Sequence, residues 1–262
     1  MESLRVAVVT TNRGTRGAPV GVARVGVRCA ANGYRGDDGA LVRACGSGPV
    51  RVFDARDGGG LDSFTASVEC GLAVGLDGCA LEQPLAAAVT ALDHESFPPP
   101  AGAVLVVVVL SDEDDCSLQD PVGFFAGSET GVAINQRCVR EPGLLVPIDG
   151  VLAGLRLGRE EAPLIFAALV GLPEGLSGAM PSDILASPEM AYEPTNENGH
   201  GLRAACERGD IQAAPGRRFA ELADQIDGAL VSSICAESFR PAIAELAARI
   251  GESVTESSEE AP

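Results

Sequence analysis

The chain has 262 residues, 37 acidic side chains against 19 basic ones, and a net charge of −18, which argues against nucleic acid or an anionic membrane surface as partner, since polyphosphate is bound through Lys and Arg. All 19 basic residues are arginine, so there is no lysine amine for a Walker-type phosphate loop or a pyridoxal Schiff base. The length suffices for a sizeable core, which Val, Leu, Ala and Ile must fill because aromatic residues are only 4%.

Residues 4–10 (LRVAVVT) have strand composition and run into the small polar groups Thr10, Thr11 and Asn12. Residues 13–50 are rich in Gly and Arg, with a turn-like GDDG at 36–39 between Cys29 and Cys45. A short edge strand is expected over 51–55, and a helix over 63–74 with Phe64, Val68 and Leu72 inward. Residues 81–92 (LEQPLAAAVTAL) form a better helix: Pro84 falls in the first turn, and Leu81, Leu85, Ala88 and Leu92 share one face. Glu82 then lies near a helix N-terminus, where its charge is favoured. His94, just past this helix, caps its C-terminal end.

Residues 103–110 (AVLVVVVL) are apolar, rich in β-branched valine and without polar alternation, which describes a strand buried on both faces in a mostly parallel sheet. The run stops at Ser111, Asp112, Glu113, Asp114 and Asp115. Ligands of open α/β sheets bind at the carboxyl ends of strands, so four carboxylates stand where a site is expected. They need a hard divalent cation, such as Mg or Ca, or full hydration as a solvated loop.

Beyond them a long loop spans 116–147, a helix 148–157, a buried strand 163–171 and a second excursion 172–215. A helix over 217–226, a strand over 229–235 and a helix over 239–250 follow. The alternation predicts a doubly wound, mostly parallel α/β sheet with flanking helices in one domain over 1–250, ahead of a disordered acidic tail at 251–262.

The eight cysteines include no C-x-x-C pair, and His94 and His200 lie in no ligand pattern. Disulfides in an exported protein fit better than free thiols in the cytosol. Short loops favour Cys29–Cys45, Cys70–Cys79, Cys116–Cys138 and Cys206–Cys235. There is no G-x-S-x-G, and no G-x-G-x-x-G follows the first strand. An EF-hand loop starting at Asp112 fails at Ser117 and Gly123.

Four segments in order, VAVVTTN at 6–12, GCALEQPLAAAVTAL at 78–92, VLVVVVLSDEDDCS at 104–117 and SSICAESFRPAIAELAARI at 232–250, resemble a group of bacterial exported, lipoprotein-like proteins with a von Willebrand factor A-like domain. The resemblance implies a divalent cation at the carboxyl end of the sheet. It would be held by a D-x-S-x-S loop, a Thr from a second loop and an acidic residue matching Asp112. No D-x-S-x-S occurs in the chain, and no Thr stands at 79–82. Set against the family, the chain begins at the second strand, and the first strand, the metal loop and the export signal are expected upstream.

The expectation is a non-enzymatic binding module outside the cytoplasm, gripping a protein ligand without inserting into a membrane and without nucleotide or pyridoxal phosphate. Asp112, Asp114 and Asp115 are the candidate metal residues, with Ser111, Glu113, Glu82, Thr10, Thr11 and Asn12 around them. The alternatives are a degenerate, metal-free structural domain stabilised by disulfides, and a metal-dependent hydrolase using the same carboxylates.

Overall fold

The computed structural model of the chain describes residues 3–18, 29, 35–43, 48–54, 60–75, 78–93, 97, 100, 102–126, 132, 134–195 and 201–259. His94, His200 and Cys45 lie outside them. Ser3–Ala7 forms β1, paired antiparallel with Val50–Asp54 (β2), from Ser3 opposite Asp54 to Ala7 opposite Val50. Past Ala7 the chain runs on to Asn12, whose carbonyl accepts the N–H of Asp37 at 2.8 Å and of Asp38 at 3.3 Å. That contact needs the expected turn at Gly36, with φ at 57°: a Cβ there would lie 2.5 Å from the Asn12 side-chain oxygen.

Leu61–Leu72 (α1) and Pro84–Leu92 (α2) are the next two expected helices. Pro84 occupies the first position of α2, where its missing N–H costs nothing. Leu105–Leu110 is β3, followed by Pro121–Ala126 (α3), Ile134–Arg140 (α4) and Ile148–Arg156 (α5). Leu164–Val170 (β4) and Pro181–Ala186 (α6) precede a short hairpin of Cys206–Arg208 (β5) and Ile211–Ala213 (β6). Arg217–Ala223 (α7), Leu230–Ser233 (β7) and Arg240–Glu259 (α8) complete the order.

β3, β4 and β7 form a three-stranded parallel sheet in that order, with Leu105 opposite Leu164 and Ala167 opposite Leu230. Alternation along β4 divides the core. Phe166, Ala168 and Val170 pack with Val109 and Val231 against Leu85 of α2, Val151 and Leu155 of α5, and Phe219 and Leu222 of α7. Ile165, Ala167 and Leu169 face the opposite way, with Leu230, onto Ala242 and Leu246 of α8. The fold is thus mixed α/β, with a parallel sheet flanked by helices.

The middle strand of this sheet is β4, and β3 lies at its edge. The run read as buried on both faces leaves Val108 50% and Leu110 56% exposed. An unbroken valine run fits the pleat at either place, and periodicity alone does not distinguish them. Differences also occur in the excursions, where short elements replace the expected loops: α3 and α4 within 116–147, and α6 and the β5–β6 hairpin within 172–215. At the end, α8 continues to Glu259 through residues expected as a disordered tail.

Cys116–Cys138 and Cys206–Cys235 pair as expected. Cys29 pairs with Cys79, which overturns both Cys29–Cys45 and Cys70–Cys79. Cys70 is disulfide-bonded as well. The reason is tertiary: the Cys79 N–H donates to the Asn12 side chain at 3.3 Å, which holds Cys79 against the loop after β1. Each doubling of loop length costs only about 0.6 kcal/mol, so proximity in sequence is a weak guide to pairing. Among the described residues, no helix is long and apolar enough to cross a membrane.

Candidate functional site

Three segments meet at the carboxyl end of the sheet: residues 10–15 after β1, 79–83 before α2, and 111–118 after β3. Their backbones are laced together. Asn12 bridges Glu82, the Gln83 N–H donates to the Thr11 carbonyl at 3.1 Å, and the Cys116 N–H donates to the Glu82 carbonyl at 2.8 Å. Asn12 and Gln83 are buried polar residues that need internal partners. The Asn12 amide oxygen accepts the N–H groups of Gly14 and Cys79, and Gln83 joins the Leu118 N–H to the Gly14 carbonyl. Asn12 is therefore a scaffold residue. Thr10 donates to Asp37 at 2.6 Å and belongs to the same scaffold.

The acidic run after β3 splits in two. Ser111 is buried and closes a local turn, its hydroxyl donating to the Glu113 carbonyl at 2.9 Å. Asp114 and Asp115 then point toward α7. Asp115 is 1% exposed and accepts from the Leu85 N–H at 3.0 Å, the Ser117 hydroxyl at 2.6 Å, the Ser117 N–H at 3.2 Å and Arg218 Nε at 3.1 Å. Ser117 in turn accepts the Ala86 N–H at 2.9 Å. Together these two residues cap the first turn of α2 from a distant segment, satisfying N–H groups that a helix leaves open.

Asp114 accepts the Tyr192 hydroxyl and the backbone N–H of Arg218 at 3.1 Å. Burial raises its carboxyl to about 7; the Tyr192 hydrogen bond and Arg218 oppose the rise, while Asp115 adds to it. Burial, with Asp114 beside it, also holds the Tyr192 hydroxyl well above its ordinary range.

The other half faces the loop after β1. Asp112 is exposed, and its carbonyl accepts the Ala214 N–H at 2.9 Å. Glu82 is hydrogen-bonded to Thr11 and is raised to about 7, by burial first and then by Glu113 and Asp112; the Thr11 bond opposes the shift. Glu82, Glu113 and Asp112 therefore share one electrostatic neighbourhood.

The structure does not gather Asp112, Asp114 and Asp115 into a ligand set. Asp114 and Asp115 are engaged by protein donors, and the Arg218 guanidinium already supplies a positive charge to Asp115. Among the described residues, no group of three or more His, Cys, Asp or Glu side chains is placed to hold a metal ion. The donors present do not fit the cation that the resemblance implies, and no step is derived through one. Sequence reading missed the partners Arg218, Tyr192, Gln83 and Ser117. Arg218 and Tyr192 are more than 75 residues from the acidic run, and no local pattern announced them. No protein-family model, curated protein or solved structure matches this chain.

Proposed function

We propose that the chain is a non-enzymatic binding module of the extracytoplasmic space, built on a doubly wound von Willebrand A-like sheet. It meets a protein ligand through the mouth formed by Asp112, Glu113 and Glu82. The observation that carries this reading is that the Glu82 segment, bridged to Asn12 and bonded through its carbonyl to the Cys116 N–H, lies beside the acidic run at the carboxyl end of a parallel sheet, where open α/β folds place their ligands, with Glu113 and Asp112 acting on the Glu82 carboxyl. Disulfides fit an oxidising compartment. Helices on both faces of the sheet, with an antiparallel β1–β2 pair beside it, support the finer fold reading. The ligand surface is basic, because cationic groups complement an acidic surface.

The test is selection of binders from a displayed peptide library against the disulfide-intact chain, followed by titration of the best binder. Binders enriched in Arg and Lys, lost with Asp112→Ala and Glu113→Ala and weakened by salt, support the reading. Binders indifferent to both substitutions would refute it. A second reading, a structural domain stabilised by disulfides, is favoured by the engagement of Asp114 and Asp115 in capping and ion pairing. It requires that the library yield no binder dependent on the mouth.

A further inference from the structure

At the amino end of the sheet, opposite the acidic mouth, lies a cavity of about 330 Å³, the size of a small-molecule site. Its floor is apolar: Leu164 and Ile165 begin β4, and Ile226 precedes β7. α5 packs on one face of the sheet and α8 on the other, so the two walls come from different layers. Arg156, in the last turn of α5, and Glu160 just beyond it form one wall. Glu252, Ser253 and Glu256, on one face of α8, form the other, and Asp227 lies in the turn between α7 and β7.

The charges of this lining are not used up by the fold. Arg249 also borders the cavity but is engaged: its Nε donates to Glu245 at 2.9 Å, and its Nη1 donates to the carbonyl of Ala229 at 2.9 Å and to that of Gly228. Those bonds tie α8 to the turn entering β7 and give the cavity a fixed wall. Among the described residues, no ion pair engages Arg156, Glu160, Asp227, Glu252 or Glu256. The C-terminal end of a helix favours cations, yet α8 has no basic residue in its last turn and carries Glu256 there. Two arginines stand against four carboxylates, so the lining has a formal charge of −2.

We propose that this cavity binds a basic α-amino acid, its carboxylate on Arg156 and its side-chain cation on Glu252 and Glu256. A planar guanidinium recognises a carboxylate through paired N–H donors, which is the work left for an unpaired Arg156. The apolar floor receives the methylene stem, and Glu160 and Asp227 remain for the α-ammonium. A simple anion is repelled by the net charge of the lining, and a plain diamine leaves Arg156 unanswered. Only a ligand carrying both signs, with the positive in excess, answers every unpaired group. The site lies at the opposite end of the strands from the acidic mouth and does not depend on it.

NMR titration and thermal melting of the disulfide-intact chain test it. The probes are L-lysine, norleucine, which lacks the side-chain ammonium, and cadaverine, which lacks the carboxylate. Lysine raises the melting temperature and shifts the amide resonances of Ile165, Ile226 and Gly228 while leaving 111–115 in place. Norleucine and cadaverine each bind roughly tenfold more weakly or worse, because each loses a charge-assisted contact. Arg156→Gln brings lysine down to the level of cadaverine, whose own binding it does not weaken. Glu252→Gln combined with Glu256→Gln brings lysine down to the level of norleucine. All three side chains are exposed, so the variants keep the fold, and an unchanged melting temperature without ligand verifies it. Four outcomes overturn the proposal: lysine shifts gathered at 111–115, cadaverine binding as tightly as lysine, lysine binding indifferent to Arg156→Gln, or no lysine binding at millimolar concentration.

Discussion

The carboxylate of Asp115 accepts the backbone N–H of Leu85 at 3.0 Å, so a residue leaving β3 caps the helix that precedes that strand. The same carboxylate pairs with Arg218, whose side chain is 11% exposed. Asp115→Ala removes a cap and strands a nearly buried guanidinium, a change that typically costs about 3–5 kcal/mol. Asp115→Asn keeps an acceptor for Leu85 and loses less. Urea unfolding of the three proteins gives the ordering wild type, Asn, Ala; an Ala variant within about 0.5 kcal/mol of wild type would falsify the capping role.

Glu82 and Asp114 predict the sign of the pH dependence. Both carboxyls are raised to about 7 by burial, above the range they have in the unfolded chain. Between the unfolded and folded values the native state binds more protons, so stability is fully present at the acidic end and is lost as pH rises through about 7. For Glu82 the groups facing it are Thr11, Glu113 and Asp112; for Asp114 they are Tyr192, Arg218 and Asp115. Thermal melting should give a higher midpoint near pH 5 than near pH 8, and Glu82→Gln should flatten that difference. A Gln variant with the wild-type slope removes Glu82 as a source.

Much of the scaffold was legible because it is periodic. The 3.6-residue pattern of 81–92 and the apolar runs at 105–110 and 164–170 announce helix and strands from local chemistry alone. Burial of β3 was not legible, because Val106 and Val108 look alike in sequence whether a neighbouring strand is there or not. The acidic run was legible as a feature but not in its division. Asp112 and Asp115 are chemically the same, and only Arg218, Ser117 and the open turn of α2 make one of them structural. Cys29–Cys79 was hidden for a similar reason, since the contact that draws Cys79 in comes from Asn12, 67 residues away.

The disulfides differ in what they constrain. Cys29–Cys79 closes a separation of 50 residues and Cys116–Cys138 one of 22. Loop-closure entropy assigns about 4 kcal/mol to the first and about 3 kcal/mol to the second. The first also ties the loop after β1 to the segment entering α2. Cys29→Ala with Cys79→Ala should therefore lower the urea midpoint more than Cys116→Ala with Cys138→Ala, with non-reducing mass spectrometry confirming that the remaining pairs are intact. The reverse order would show that local packing around Cys116 outweighs chain entropy.

Gly171, just past β4, sits where backbone must pass close by. A Cβ there would overlap the Ala214 carbonyl oxygen and lie 2.7 Å from its carbon. The same stretch is fastened on both sides: the Ala214 N–H donates to the Asp112 carbonyl at 2.9 Å, and the Gly216 N–H to Gly171 itself at 2.9 Å. Backbone cannot yield as a side-chain tip can, so Gly171→Ala should cost about 1–3 kcal/mol and shift the amide resonance of Ala214, loosening its hold on Asp112. Gly175 provides the control, because a Cβ there meets nothing within 4 Å. Gly175→Ala should stay within about 0.5 kcal/mol of wild type or stabilise slightly by restricting the unfolded chain. Equal effects at the two glycines would mean that the segment carrying Ala214 moves aside freely, and that Asp112 is held by its own strand alone.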